Sequence, residues 1–147
     1  GEFDCTAFND RAGGLLLALT RGRFCADDEV RVRVHEPLSV MDLLYVGSRA
    51  HSWPLPKALA AVHASERGAV VLLNGGENAA ALLSQVLARD DGAARRPHPM
   101  DLRTHGIGAQ ILRELGIAKM RLLGSPRRMP SMTGYGLEVT GFVTDEP

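Results

Sequence analysis

The fold of this chain is decided by residues 100–128, MDLRTHGIGAQILRELGIAKMRLLGSPRR. Apolar residues recur at helical spacing in the segment GAQILRELG, and its closing glycine predicts a helix over 108–116. The short apolar segment that follows predicts a strand over 118–124, which runs into a basic loop. A helix, a strand and a loop in this order are typical of an α/β unit.

The same alternation continues outside this stretch. Over 30–37 the sequence VRVRVHEP alternates strictly, which places its valines on one face of a strand and Arg31, Arg33 and His35 on the other. The remaining predicted elements are strands at 13–22, 69–74 and 135–143, helices at 57–68 and 77–90, and a loop at 125–134. Together they predict an α/β layer structure and not an all-β barrel.

Length and charge limit the classes of function. The chain has 147 residues, the length of one ordinary domain, and 45% of them are hydrophobic, which is enough to bury a core. Because the formal net charge is zero, the molecule is not built to hold a polyanion, and we expect no nucleic-acid partner. A small anionic ligand needs only a local basic patch, which residues 119–128 supply.

The cysteines and the first residues indicate the cell compartment of the protein and its domain organisation. Cys5 and Cys25 form neither a zinc motif nor a disulfide framework, so we expect free thiols in a reducing cytoplasm. No apolar run reaches the roughly 18 residues of a membrane span, and the first residues do not resemble a signal peptide. The chain starts with GEF, and we interpret residues 1–3 as a cloning remnant and residues 1–147 as one domain of a longer two-domain protein.

The pair Asp101 and Arg103 is the first candidate for chemistry. An aspartate can accept a proton, and an arginine offers a forked cation that suits phosphate. The glycines of Gly106-Ile107-Gly108 would let backbone N–H groups approach an anion at a helix N-terminus. The alternative is that Asp101 only caps the helix and pairs with Arg103 on the surface.

Three further sets of residues either contact a ligand or have only an ordinary structural or surface role. Arg127 and Arg128 follow a strand directly, where α/β proteins often bind ligands, or they belong to a solvated loop. Arg33 and His35 either line a pocket or form a solvent-exposed face. Glu77 either contacts a ligand or is favourable at its helix start because of the helix dipole.

The segment DLRTHGIGAQILRELGIAKMRLL, followed by GYGLEV, resembles the C-terminal part of GTP cyclohydrolase II, a zinc enzyme of riboflavin synthesis. In many bacteria that domain is fused behind 3,4-dihydroxy-2-butanone 4-phosphate synthase. The resemblance is strongest over 100–143 and weaker in VRVRVHEPLSVMDLL and GAVVLLNGGENAAALL. It implies a mixed β-sheet flanked by helices, a homodimer, an upstream synthase domain as partner, and GTP or a related nucleotide as ligand, with Mg²⁺ as its companion.

The resemblance also implies roles for particular residues. Asp101 matches the general base of the family, and Arg103 matches the arginine proposed to take the phosphoryl group when pyrophosphate leaves. The family strand RVH contacts GTP, and the family loop that binds the phosphate end matches GSPRR. The nucleotide-binding positions carried over in this way are Arg33, His35, Glu77, Arg127 and Arg128.

The departures from the family pattern concern the metal. The family holds zinc with three cysteines, and the matching positions here are Leu38, Ala50 and Ser52. We therefore expect no zinc and no other metal site. The family motif RQEGR has become GGENA, which keeps the glutamate as Glu77 but has Ala79 in place of the arginine, and residues 78–100 contain no tyrosine.

These departures favour a degenerate cyclohydrolase domain. It would not open the imidazole ring of GTP, because neutral water is a poor nucleophile without a metal. Its role would be to support, dimerise or regulate the attached synthase. Two alternatives remain open: an enzyme that uses Asp101 and Arg103, as a zinc-independent nucleoside triphosphate pyrophosphohydrolase or a still-active cyclohydrolase, and a plain interaction module.

Overall fold

A computed structural model describes residues 1–11, 14–36, 52–73, 80, 83 and 102–145, without the side chains of 102–105, 130 and 131. The strands are β1 (Asp4–Asn9), β2 (Leu15–Arg21), β3 (Glu29–His35), β4 (Gly68–Leu72), β5 (Lys119–Leu123) and β6 (Glu138–Val143). The helices are α1 (Leu55–His63), α2 (Leu102–Glu114) and α3 (Pro130–Gly134). None of the described helices is both long and apolar enough to cross a membrane.

The six strands form one mixed sheet in the order β1-β2-β4-β3-β5-β6. β2 is antiparallel to both of its neighbours, whereas β4, β3, β5 and β6 are parallel to one another. The predicted α/β fold with a mixed sheet flanked by helices is therefore confirmed. The four parallel strands end together at His35, Leu72, Leu123 and Val143, and we call this side of the sheet the carboxyl edge.

Each face of the sheet carries its own hydrophobic core. On one face Val30 and Val32 pack with α2, and on the other face Val70 and Leu72 pack with Leu55, Ala58 and Val62 of α1. All five residues of β4 are buried, which explains why its sequence is a continuous apolar run without alternation. Burial of the sheet on both sides is what brings polar residues of β3 into the interior.

The largest error in the predicted elements concerns α2. The predicted helix over 108–116 begins at Leu102, so Gly106 and Gly108 lie inside it. Amide groups in a helix interior donate to the carbonyl four residues earlier, so these glycines do not form an anion-binding turn. Gly116, at φ 81°, ends the helix as predicted, because this left-handed conformation favours glycine.

Other differences are smaller. The strand β1 was not predicted, because five of its six residues are exposed and it lacks a continuous apolar face. The predicted loop over 125–134 contains the five-residue helix α3. The predicted helix over 57–68 is α1, which spans Leu55–His63, and Gly68, predicted to end the helix, opens β4 instead. Of the helix predicted over 77–90, Ala80 and Leu83 are helical, and the remainder lies outside the described residues.

Candidate functional site

Arg33 lies near the end of β3 on the face covered by α1, and only 7% of its surface is exposed. Its Nη1 atom donates to the carbonyl oxygen of Leu123 over 2.8 Å, and its Nη2 atom donates to the carbonyl oxygen of Trp53 over 3.4 Å. The guanidinium thus binds the last residue of β5 and the segment before α1. The alternative in which Arg33 belongs to a solvent-exposed face is wrong, because α1 covers this side of the sheet.

Trp53 extends this arrangement to the outermost parallel strand. Its indole Nε1 donates to the carbonyl oxygen of Val143 over 2.8 Å, and that oxygen also accepts from the amide of Gly124 over 3.0 Å. We call Arg33, Trp53, Leu123 and Val143 the Arg33 network. It fixes the point at which the basic loop 124–128 leaves the sheet.

His35 is the last residue of β3 and has no exposed surface. Its carbonyl oxygen accepts from the amide of Leu73 over 3.0 Å, which continues the pairing of β3 with β4 past Leu72. The solvent-face alternative therefore fails for this side chain as well.

Glu36 and Arg127 connect the end of β3 to the basic loop. Partial burial lowers the pKa of Arg127, and the nearby Glu36 carboxylate acts in the opposite direction and raises it. The guanidinium stays protonated, since its ordinary pKa lies far above neutrality. The Glu36 carboxylate after β3 thus acts on the loop GSPRR and balances part of its positive charge.

Arg128 is exposed, and within the part of the chain that the structure describes it makes no hydrogen bond or ion pair. It stands at one end of an open groove of about 650 Å³ between α3 and β6. The floor of this groove is apolar. Its lining residues are two arginines, one glutamate, one threonine and four apolar residues: Arg127, Arg128, Glu138, Thr133, Met129, Leu137, Val139 and Phe142.

The structure describes the remaining predicted site residues only in part. Asp101 and Glu77 lie outside the described residues. Arg103 is in the first turn of α2, and its side chain is not described. The positions of Leu38 and Ala50 also lie outside the described residues, whereas Ser52 precedes Trp53.

The glycines of the Gly-x-Gly motif serve packing. A Cβ atom on Gly108 would lie 3.4 Å from Cγ1 of Val34 and 3.7 Å from Cδ1 of Leu73, so the helix approaches the sheet closely at this point. A Cβ atom on Gly106 would lie 3.0 Å from the hydroxyl oxygen of Tyr135. The predicted anion-binding role of this motif is therefore wrong, and its signal in the sequence was one of helix–sheet contact.

Neither thiol lies at the end of β3. Cys5 pairs with Leu19, which is in register with Val70 and then with Arg33, so three strand spacings of about 4.8 Å separate it from β3. Cys25 precedes the start of β3, roughly 20 Å from the strand end at 3.3 Å per residue. Both thiols are free and exposed.

The side chains that the structure describes do not form a metal site. Among residues 1–11, 14–36, 52–73, 80, 83 and 106–145, no three His, Cys, Asp or Glu side chains are grouped so that they could hold a metal ion. A zinc site of the usual kind needs three or four sulfur, nitrogen or carboxylate ligands. The described donors therefore do not fit zinc.

Sequence reasoning missed several residues that shape this region. Glu36 was not singled out, although it directly follows His35, and Trp53 carried a signal only as the single tryptophan of the chain. Phe142 was assigned to a strand, but Thr140 is an extra residue on β6, and this β-bulge places Val139 and Phe142 on the same face. The isolated Gly141 beside it was the available sequence signal.

Comparison with known proteins finds a matching family model and several similar proteins. Residues 1–144 match the protein-family model described as GTP cyclohydrolase II. The 3,4-dihydroxy-2-butanone 4-phosphate synthase of Neisseria meningitidis serogroup A is 46% identical over 97% of this chain and 38% of its own length. The Riboflavin biosynthesis protein RibBA of Cytophaga hutchinsonii is 34% identical over 99% of this chain and 39% of its own length.

A solved structure agrees on the fold. The crystal structure of RibBX, a two-domain 3,4-dihydroxy-2-butanone 4-phosphate synthase from A. baumannii, superposes with a TM-score of 0.51 and 24% identity. It covers 99% of this chain and 40% of the RibBX chain. The chain thus spans about two fifths of the length of the proteins that it matches.

Proposed function

The chain belongs to the GTP cyclohydrolase II family, and on this basis we propose that it is a domain of a riboflavin-biosynthesis protein that does not open the imidazole ring of GTP. Its role is to support or regulate a 3,4-dihydroxy-2-butanone 4-phosphate synthase domain. Relatives named for that synthase, or for RibBA, are more than twice as long as this chain, which supports such a neighbour.

The placement of the two thiols is the observation that carries this proposal. The chain has only Cys5 and Cys25, and neither lies at the end of β3 or at a family position for a zinc ligand. The family positions for zinc ligands hold Leu38, Ala50 and Ser52, of which leucine and alanine offer no atom that binds a metal. Ring opening by water needs a strong nucleophile, and metal-bound water is the one that the family employs.

Two of the arginines in the predicted nucleotide site already interact with other groups of the protein. Arg33 donates to two main-chain carbonyl oxygens, and the charge of Arg127 is partly balanced by Glu36. Nucleotide binding therefore relies on Arg128 and on groups outside the described residues, which include Asp101 and Glu77. We include weak binding of GTP or a related nucleotide, and a homodimer, in the proposal.

Metal content and turnover test the proposal on one sample. Zinc is measured by mass spectrometry, and formate and pyrophosphate are followed with GTP and Mg²⁺. A cyclohydrolase with all three cysteines is the positive control. We expect zinc far below one atom per chain and no formate. One zinc per chain together with formate release would refute the proposal, and pyrophosphate without formate would establish a zinc-independent pyrophosphohydrolase instead.

A restored donor set provides the matched control. The triple variant Leu38→Cys, Ala50→Cys and Ser52→Cys supplies three thiols at the family positions, and we expect it to bind zinc where the original chain does not. Zinc binding by both proteins would mean that other residues serve as ligands.

A further inference from the structure

We propose that an incompletely covered row of leucines on β2 is the surface on which the 3,4-dihydroxy-2-butanone 4-phosphate synthase domain docks. The row consists of Leu15, Leu17 and Leu19, and we call it the leucine stripe. Its partner is an apolar patch of the synthase domain. The inference rests on the proposed function only for the identity of the neighbouring domain, and it names the surface through which the two domains act on each other.

The sequence of β2 is that of a strand covered on both faces. Residues 15–19, LLLAL, are apolar without interruption, which is typical of strands that are buried on two sides. An antiparallel strand with one solvated face instead alternates between apolar and polar residues. Because β2 is antiparallel to both of its neighbours, polar side chains are expected on any face that it leaves open. Leucines on an open face of this strand therefore indicate a contact with another surface.

The structure covers one face of β2 fully and the other only in part. Leu16 is buried in the core on the α2 side of the sheet. On the opposite face α1 packs over the neighbouring strand β4 and reaches only the flank of the leucine stripe. Leu17 and Leu19 are partly buried there, and Leu15 is 49% exposed. Contiguous apolar surface of this kind is a common mark of protein interaction sites.

The strand β1 extends this apolar surface to the edge of the sheet. Directly opposed residues of neighbouring strands carry their side chains on the same face. Cys5 therefore lies beside Leu19, and Ala7 lies beside Leu17. Cys5 and Ala7 are both exposed, so the surface next to the leucine stripe is open and carries no charged side chain at its centre.

Charged side chains stand at the two ends of the leucine stripe. Arg21 continues β2 on the same face, close to His63 at the end of α1. Asp10 lies in the turn between β1 and β2, where its carboxylate accepts from the amide of Gly14 over 2.7 Å. Charges of opposite sign at the ends and an apolar centre do not suit a polyanion. They match the apolar core and polar rim of an interface between protein domains.

The path of the chain favours the synthase domain over a second copy of this chain. β1 begins at Asp4, and residue 1 lies beside the imidazole of His63, close to the leucine stripe. In the fused proteins that this domain resembles, the synthase domain comes first, so it would enter at the border of the stripe. A domain on a short tether has an effective concentration in the millimolar range, far above that of a free second copy.

The size of the neighbouring domain is sufficient for this contact. This chain spans 38% of the synthase of Neisseria meningitidis serogroup A and 40% of the RibBX chain. The rest of each relative is therefore larger than this domain. Contacts between domains of one chain commonly bury about 600–1,500 Å², which is enough to cover the leucine stripe and the adjoining part of β1.

Two exposed thiols give a local test without added labels. Cys5 borders the leucine stripe, whereas Cys25 lies between β2 and β3. Alkylation by iodoacetamide is followed on the two peptides by mass spectrometry, for this chain alone and for the protein that also contains the synthase domain. We expect the synthase domain to slow the reaction of Cys5 about tenfold and to change that of Cys25 by less than about twofold.

Two results of the alkylation experiment would overturn the proposal. One is an equal rate for Cys5 in the chain alone and in the two-domain protein. The other is protection of Cys5 in the chain alone that grows with protein concentration, because this would assign the leucine stripe to a second copy of the chain.

Neighbouring exposed residues of β1 provide matched variants, because Ala7 points to the leucine stripe and Thr6 to the α2 side. In the two-domain protein, Leu15→Glu or Ala7→Glu should bring the Cys5 rate to within about twofold of that in the chain alone, since each buries a carboxylate in an apolar contact. Thr6→Glu is the control and should leave Cys5 protected. Protection that survives both stripe variants, or that Thr6→Glu removes equally, would refute the docking surface.

These outcomes are distinct from those that test the proposed function. Zinc content and formate release report on the chemistry of this domain, whereas the Cys5 rate reports on its contact with the neighbour. A domain that holds zinc, releases formate and still has a protected Cys5 would refute the non-catalytic role and retain the docking surface. Absence of zinc and formate together with equal Cys5 rates would refute the docking surface and retain the proposed role.

Discussion

Arg33 and Leu123 lie ninety residues apart and are joined by a 2.8 Å hydrogen bond from the guanidinium to a main-chain carbonyl oxygen. The same guanidinium reaches the carbonyl oxygen of Trp53. A buried cation that satisfies two carbonyl groups fixes the backbone on both sides of it, because leaving those groups unpaired is costly. Arg33 is therefore first a structural residue of the carboxyl edge.

Replacing Arg33 by methionine should destabilise the fold. Two buried carbonyl groups would lose their donor, and we expect a loss of about 2–3 kcal/mol in the free energy of unfolding. Arg33→Lys keeps the charge but has no fork to reach both oxygens, so we expect about half of that loss. Urea denaturation measures both variants. Arg113→Gln on the exposed side of α2 is the control, and equal midpoints for all three variants would contradict this role.

Gly108 offers a test of the contact between α2 and the sheet. A Cβ atom would lie 3.4 Å from Val34, which is ordinary van der Waals contact, and alanine is a better helix former than glycine. We expect Gly108→Ala to stabilise the protein by about 0.5–1 kcal/mol. Gly108→Leu has no room and should destabilise it by about 1–3 kcal/mol. Thermal unfolding compares the pair, and an anion-binding glycine would show no such reversal of sign.

Thr140 tests the bulge on β6. Thr140→Val keeps the shape of the side chain but removes its one hydroxyl hydrogen, which the Met120 carbonyl oxygen and the Glu29 carboxylate are both placed to accept, and we expect a loss of about 1 kcal/mol in the free energy of unfolding. Thr6→Val on the exposed strand β1 is the matched control and should change stability by less than about 0.5 kcal/mol. Similar values for the two variants would mean that the hydroxyl does not hold the bulge.

The surroundings of His63 predict how the free energy of unfolding depends on pH. Partial burial lowers its pKa first, and the nearby charge of Arg21 lowers it further. Its imidazole meets the ring of Phe3 edge-on, with centroids 5.9 Å apart. The folded chain therefore resists protonation of His63, whereas the unfolded chain takes up the proton below a pH of about 6.5.

The consequence is a loss of stability on the acid side. His63 contributes nothing to the pH dependence above the unfolded pKa, and it lowers the free energy of unfolding as the pH falls from about 7 towards 5. NMR titration of the His63 ring measures the pKa directly, and we expect Arg21→Gln to raise it. In His63→Gln the decline in stability between pH 7 and 5 should be smaller. A pKa that is unchanged in Arg21→Gln would rule out the charge contribution.

The fold was largely readable because its strongest patterns are local. The alternation from Val30 onward, the apolar run of β4 and the glycine that ends α2 each follow from a few neighbouring residues. The family resemblance came from an equally local motif around Asp101 and Arg103. The structural roles of Gly106 and Gly108 were misread, because turns and tight helix packing both favour glycine.

The site was less predictable because its contacts are distant in the sequence. The partners of Arg33 lie 20 and 90 residues away, and nothing near Arg33 indicates that main-chain oxygens would bind it. The bulge at Thr140 changes the face of Phe142, and only the adjacent Gly141 marks it in the sequence. Only the assembled sheet reveals that Glu36 stands next to Arg127.

Trp53 is the single tryptophan of the chain, and its indole N–H is bonded to the end of β6 in a place where only 7% of the residue is exposed. Its fluorescence is therefore an unlabelled optical signal from the junction of β3, β5 and β6. Any event that loosens this junction, whether a ligand, a mutation or the docking of a neighbouring domain, should shift the emission to longer wavelengths as water reaches the indole.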